Sequence, residues 1–251
     1  MALSSNTVTH FTKNLSSLKV ILTDNFKVRY CRESINVKAK HYDMLIPMVS
    51  FCDIPFSQVL KHMDSYGNYG LGLKKNWAEE NGLNPVLYLE KNSLLSENIF
   101  DHLYQHIIVG KKTLSDLDID EKRRFDFIRY LKNYQGDLKR VGKKTIANYR
   151  FSDEREWRFV LDPVLDYPLF GNLKKIAEDK IKEAKEKHNA KVISQKLEFT
   201  PEDINYIIIA KESERDIVIE TLEKVNGGYP HEHVKRLTSR IISAEQLRTD
   251  F

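Results

Sequence analysis

The sequence predicts an α+β fold. Strand-like and helix-like segments follow one another without the even spacing of repeated β-α-β units, so a doubly wound parallel sheet is not expected. The middle of the chain changes character, with apolar residues at helical spacing in a Lys- and Arg-rich background. At 251 residues the chain sits near the upper size for one hydrophobic core. It therefore reads as one α+β domain, 1–251, with a helical insertion at about 94–148. A hydrophobic content of 41%, with 12 Phe and 12 Tyr, is enough to fill that core.

Thr7 to Thr12 alternates polar and apolar residues as a half-buried strand does. Asn14 or Ser16-Ser17 offers a cap for a helix from Leu15 to Thr23. The next clear strand is Met48 to Cys52, after which Pro55 suits the first turn of a helix reaching His62. Ser65 to Leu73 places three glycines among aromatic and aliphatic residues, as in a strand that another backbone or a ligand approaches closely. Lys74 to Asn81 reads as a helix ended by Gly82, and Pro85 to Leu89 as a compact strand.

In the insertion, Leu94 to Val109 and Glu121 to Asn133 carry helical periodicity. Strand character returns at Glu156 to Leu161. Lys174 to Lys191 is a charged helix of mixed sign, read as a solvated face. Lys196 to Phe199 and Tyr206 to Ala210 are strand-like, separated by a capped turn at Thr200 to Asp203. Glu212 to Val225 is an amphipathic helix halted at Gly227-Gly228, and Arg240 to Ile242 closes as a short strand.

The net charge of +4 gives no whole-molecule case for nucleic acid. The Lys111 to Lys144 stretch, with Lys122-Arg123-Arg124 and Lys143-Lys144, is the one local candidate for a nucleic-acid surface. Asp116, Asp118, Asp120 and Glu121 dilute its field, so a solvated helical face is the plainer account. Cys31 and Cys52 suggest neither a disulfide framework nor a zinc site, and no metal is expected. Met1 to Lys13 is polar and no segment is long and apolar enough to span a bilayer. A cytoplasmic protein that does not engage the membrane is expected.

Three short stretches carry candidate chemistry: His10-Phe11-Thr12, Tyr66 to Leu73, and Asp153 to Arg158. Singly, each has a bland account: a surface or structural histidine, a packing device, and an ion-pair network. Their order resembles ADP-ribosyltransferase-like folds of the histidine-tyrosine-glutamate kind. That resemblance implies mixed and antiparallel sheets, with NAD as a substrate. His10, Thr12, Tyr66, Gly70 and Gly72 would then bind the dinucleotide, and Glu156, Glu154 and Tyr69 would be catalytic. Cleavage of the nicotinamide–ribose bond passes through an oxocarbenium-like state, which a carboxylate beside the ribose stabilises. Two positions depart from the pattern: Leu73 and Lys74 follow the second glycine where a stacking tyrosine is usual, and Phe11 replaces a glycine.

A longer resemblance covers most of the chain. His10 to Thr12, Val49 to Pro55, Tyr66 to Ala78, Asn84 to Tyr88 and Glu154 to Arg158 together resemble the AbiGi-type abortive-infection family. The resemblance implies the antitoxin half of a two-gene phage-resistance module, which opposes a nucleotidyltransferase-like partner toxin without necessarily binding it. Two functions are thus expected as alternatives: ADP-ribosyl transfer from NAD to a macromolecular acceptor, or a non-catalytic interaction protein.

Overall fold

The computed structural model describes residues 5–104, 117–138, 144–163, 169–171, 177–225 and 229–250. Its centre is β4 (Lys40–Cys52), thirteen residues long. The C-terminal end of β4 lies between β1 (Thr7–Thr12) and β11 (Glu156–Val160), with Cys52 opposite both Thr9 and Glu156. Its N-terminal half pairs with β3 (Arg29–Val37) and with β12 (Leu169–Gly171). Beyond β1 the sheet continues through β5 (Tyr69–Lys74), β14 (Ile204–Ile209) and β15 (Ile241–Ser243). Beyond β11 it ends at β6 (Asn84–Pro85). The β14–β15 pair is parallel; the other pairs of this nine-stranded sheet are antiparallel.

Because side chains alternate across a strand and residues in register share a face, the pairings sort the core into two sides. Val8, Leu45, Val49, Phe51, Leu71, Leu73, Ile207 and Ile209 point one way. They pack under α1 (Leu15–Asp24), α3 (Lys75–Glu80), α6 (Glu178–Lys191), α7 (Arg215–Glu223) and α8 (His231–Thr238). On the other side there are two separate apolar clusters. Met44, Ile46 and Met48 meet Phe100 and Leu103 of α4 (Leu94–Tyr104) and Leu131 of β8 (Leu131–Asn133). Ile208 and Phe11 meet Val59 and Met63 of α2 (Val59–Tyr66) and Leu247 of α9 (Ala244–Asp250).

Several elements differ from the sequence expectation. The β3–β4 hairpin is unannounced, and Phe26–Lys27, which we label β2, pairs with β13 (Lys196–Leu197). The helix expected from Pro55 is a 3-10 turn at Phe56–Gln58 followed by α2, so Tyr66 ends a helix and the glycine strand begins only at Tyr69. Pro85 to Leu89 is split into β6 and β7 (Leu87–Leu89).

The stretch 94–148 is helical only in part: α4 and α5 (Ile119–Arg124) are helices, but the chain then turns to strand. Leu131, assigned to a helix by its spacing, belongs to β8, which runs parallel to β7. β9 (Gln135–Leu138) and β10 (Ile146–Arg150) form a separate two-stranded ribbon. The basic stretch from Lys111 to Asp116, Lys143, the start of the charged helix at Lys174, and Gly227-Gly228 lie outside the described residues. Among the described residues no helix is long and apolar enough to cross a membrane.

Candidate functional site

On the side of the sheet that carries two apolar clusters, the seam between them is filled by charge. Glu154 ends a 3-10 turn at Phe151–Glu154 and is buried; Arg155 then takes a left-handed conformation, φ 47 and ψ 51, from which β11 starts at Glu156. Glu156 and Arg158 alternate onto the same face, and both are buried. Glu156 receives Lys132 Nζ at 2.5 Å and Arg158 Nε at 2.7 Å. Lys132, from β8, also stands 3.3 Å from Glu154 Oε2. Arg158 reaches Glu33 of β3 at 3.0 Å and donates to the Arg129 carbonyl at 2.7 Å. The Tyr66 hydroxyl, on the last residue of α2, donates to Glu154. Tyr66 itself stacks on His62, with ring centroids 4.1 Å apart.

The electrostatics follow from that geometry. Burial alone raises a carboxyl pKa, but Arg158 and Lys132 outweigh it and hold Glu156 well below its ordinary value. Burial works against the Lys132 ammonium, and Glu156, Glu33 and Glu154 more than reverse that, keeping it charged. Cys52, in register with Glu156, has its thiol pushed up by burial, which favours the protonated form.

Three of the sequence candidates therefore meet: Tyr66, Glu154 and Glu156. The rest do not. His10 lies one residue from Thr9, and Thr9, Cys52 and Glu156 are in register, so His10 points to the opposite face of the sheet. There its Nδ1 lies 2.8 Å from the Ser50 carbonyl, and its ring packs edge-on against Phe26 and Phe51 at 5.2 and 5.7 Å. Burial lowers its pKa, so the imidazole is neutral and Nδ1–H is the donor. Thr12 and Tyr69 share the His10 side, where the Tyr69 hydroxyl donates to Glu214.

Gly70 and Gly72 do face Glu156's side, but their space is taken by this chain. A Cβ at Gly72 would fall 2.4 Å from the Tyr206 ring, and one at Gly70 3.1 Å from the Phe11 ring. Tyr206 crosses Gly72 to place its hydroxyl 2.7 Å from Thr9 Oγ1. These glycines admit aromatic rings, and His10 and Tyr69 do not share a face of the sheet with Glu156.

Sequence reasoning missed Lys132, Glu33 and Tyr88. Tyr88 accepts the Glu156 amide at 2.9 Å, and burial pushes its hydroxyl pKa up. Lys132 and Glu33 sit on strands that were not foreseen, so no local signal tied them to Glu156. Beside the start of β11 lies an open cleft of about 470 Å³, lined among others by Asp53, Lys75, Pro85, Tyr88, Arg155 and Trp157. Asp53 Oδ2 holds Lys75 Nζ at 2.7 Å, and the ammonium stands 5.4 Å from the Trp157 ring centre. All six residues lie in stretches that carried the AbiGi-type resemblance. Among the described residues no group of three or more His, Cys, Asp or Glu is placed to hold a metal ion.

An α+β protein whose acidic candidates are tied to its own cations, beside an open polar cleft, is the class that the fold and site define. A family model described as "Putative abortive phage resistance protein AbiGi, antitoxin" matches residues 24–210, and the chain belongs to this family. The matched region contains Tyr66, Glu154, Glu156 and the six cleft residues named above; it begins after His10 and Thr12. The abortive phage resistance protein AbiGi of Lactococcus lactis subsp. cremoris is 28% identical over 223 residues, 82% of this chain and 89% of that protein. No solved structure matches.

Proposed function

We propose that this protein is a non-catalytic antitoxin of phage defence that counteracts a partner toxin, without ADP-ribosyl transfer. The family description supports the antitoxin role. One observation carries the non-catalytic half: Glu156 is clamped between Lys132 and Arg158, with His10 on the far side of the sheet. A carboxylate that must follow developing charge on a ribose has to be exposed to it, and this one is engaged on both oxygens.

The test pairs two assays. Co-expression with the toxin of its module should restore growth for the parent protein and equally for His10→Ala. Purified protein incubated with NAD should release no nicotinamide above background. Nicotinamide release that disappears in Glu156→Gln, in a variant shown to be folded by circular dichroism, would replace this reading with the ADP-ribosyltransferase one.

A further inference from the structure

The positive charge of the chain is not spread evenly. Residues 122–150 hold ten Lys and Arg against Asp126 and Asp137, an excess of +8; the remaining residues, 30 basic against 34 acidic, carry −4. The acids that dilute the basic stretch in the sequence, Asp116, Asp118, Asp120 and Glu121, all precede Lys122. Two of them serve α5 itself: Asp118 accepts the Glu121 amide at 2.8 Å, and Glu121 accepts the Asp118 amide at 3.1 Å. Arg129 and Lys132 are held by Asp126, Glu154 and Glu156. Beyond them the chain forms the β9–β10 ribbon, not a continuation of the expected helical insertion.

Among the described residues β10 pairs with β9 alone, so its far edge is open. Lys144, just before β10, and Arg150, its last residue, are both exposed. Neither has a hydrogen-bond or ion-pair partner among the described residues. They stand about 20 Å apart along an extended strand, room for several consecutive phosphates. The Arg150 guanidinium lies over the Tyr134 ring, 5.9 Å from its centre. Tyr134 is 40% exposed, and its backbone is pinned on both sides. Its amide donates to the Leu89 carbonyl at 2.7 Å, and its carbonyl accepts the Ser152 amide at 3.3 Å. Asp137 is the only acid on either strand.

We propose that the β9–β10 ribbon binds single-stranded nucleic acid, with phosphates against Lys144 and Arg150 and a base stacked at Tyr134. Cations along a strand edge can track a phosphate backbone, and an aromatic ring accepts any base because every base has a π-face. The guanidinium over the tyrosine adds a second flat, cationic layer to the same platform. A polypeptide strand from an acidic protein fits this edge less well. The β9–β10 register shifts between Ile146 and Tyr149, where Asn148 takes φ 55. Such a bulge spoils the regular ladder that an added polypeptide strand requires, and a polynucleotide needs no ladder. This inference does not rest on the antitoxin reading.

A fluorescein-labelled oligothymidylate of about twelve nucleotides, followed by anisotropy, reports binding to the full chain. It should bind saturably at about 50 mM salt and progressively more weakly toward about 200 mM. Oligouridylate of the same length should compete. Lys144→Gln and Arg150→Gln should each weaken binding and flatten the log–log salt slope by about 0.7. Tyr134→Ala should weaken it about fivefold or more with the slope unchanged, and Tyr134→Phe, which keeps the ring, should bind as the parent does. Melting temperatures of the Lys144 and Arg150 variants should match the parent, because both side chains are exposed. These two variants decide the matter should Tyr134→Ala not fold. Absence of binding at low salt would overturn the proposal. So would affinity indifferent to salt or to these substitutions, or a duplex bound as tightly as the single strand. Displacement by polyglutamate as readily as by oligouridylate would also overturn it, and would give the surface to an acidic protein.

Discussion

The two faces of the central sheet are built on opposite principles. One is mostly apolar under five helices; its His10 imidazole is neutral and packed against phenylalanines, and its buried charge, Asp43 held by Arg32 and His41, is confined to the β3–β4 end. The other has two apolar clusters separated by buried and half-buried charge: three carboxylates, Glu33, Glu154 and Glu156, around two cations, Lys132 and Arg158. Burial of apolar area stabilises the first face directly. On the second, desolvation opposes the Coulomb attraction, so the network adds little net stability yet is costly to break in part. A carboxylate at a strand start is therefore not evidence of catalysis. Its partners decide, and here they come from elements distant in sequence.

The contrast can be broken most sharply at Arg158. Arg158→Met should cost about 3–5 kcal/mol in urea unfolding, because Glu33 and Glu156 lose a shared buried cation. Replacing Glu156 by Gln in the same chain should recover part of that loss; simple additivity of the two would mean the pair is not coupled. Gly72→Ala tests how the ring of Tyr206 is seated. A Cβ that close to the ring should destabilise by about 1–3 kcal/mol, and much less in a Tyr206→Ala background.

Acid should separate the faces by pH window. His10 has a lowered pKa in the folded protein, so protons favour the unfolded chain, and its contribution declines as pH falls below its ordinary value of 6.5. Glu156 is also lowered, from 4.5; its contribution is complete above that value and is lost as pH falls toward the folded one. Stability measured against pH should thus show an upper limb removed by His10→Leu and a lower limb flattened by Glu156→Gln. The smallest effect is His10→Leu at neutral pH. Loss of the bond to Ser50 should cost about 1 kcal/mol, with toxin neutralisation intact.

Period and composition made some elements legible and hid others. β1, β11 and β14 showed through their alternation or apolar runs, and Gly82 marked the end of α3 with φ 71. The β3–β4 hairpin was hidden for two reasons. Asp43 to Val49 is buried on both faces, which erases alternation. The turn also has no glycine or asparagine, since Lys38 itself takes φ 50. Phe125, Ile128 and Leu131 kept helical spacing through a 3-10 turn and into a strand, so period alone misassigned the last of them. Of the site, the Glu154–Glu156 pair and Tyr66 were legible as polar residues in unusual company. The side on which His10 falls was not. It depends on the parity of two registers, Thr9 with Cys52 and Cys52 with Glu156, which no single stretch encodes.

β4 has a mechanical consequence. One thirteen-residue strand is shared as a neighbour by β3 and β12 at one end and by β1 and β11 at the other. Neither end can let go without loosening the backbone that staples its counterpart. Heat should therefore melt both ends in one step, and excising either should leave a remainder unable to hold its shape.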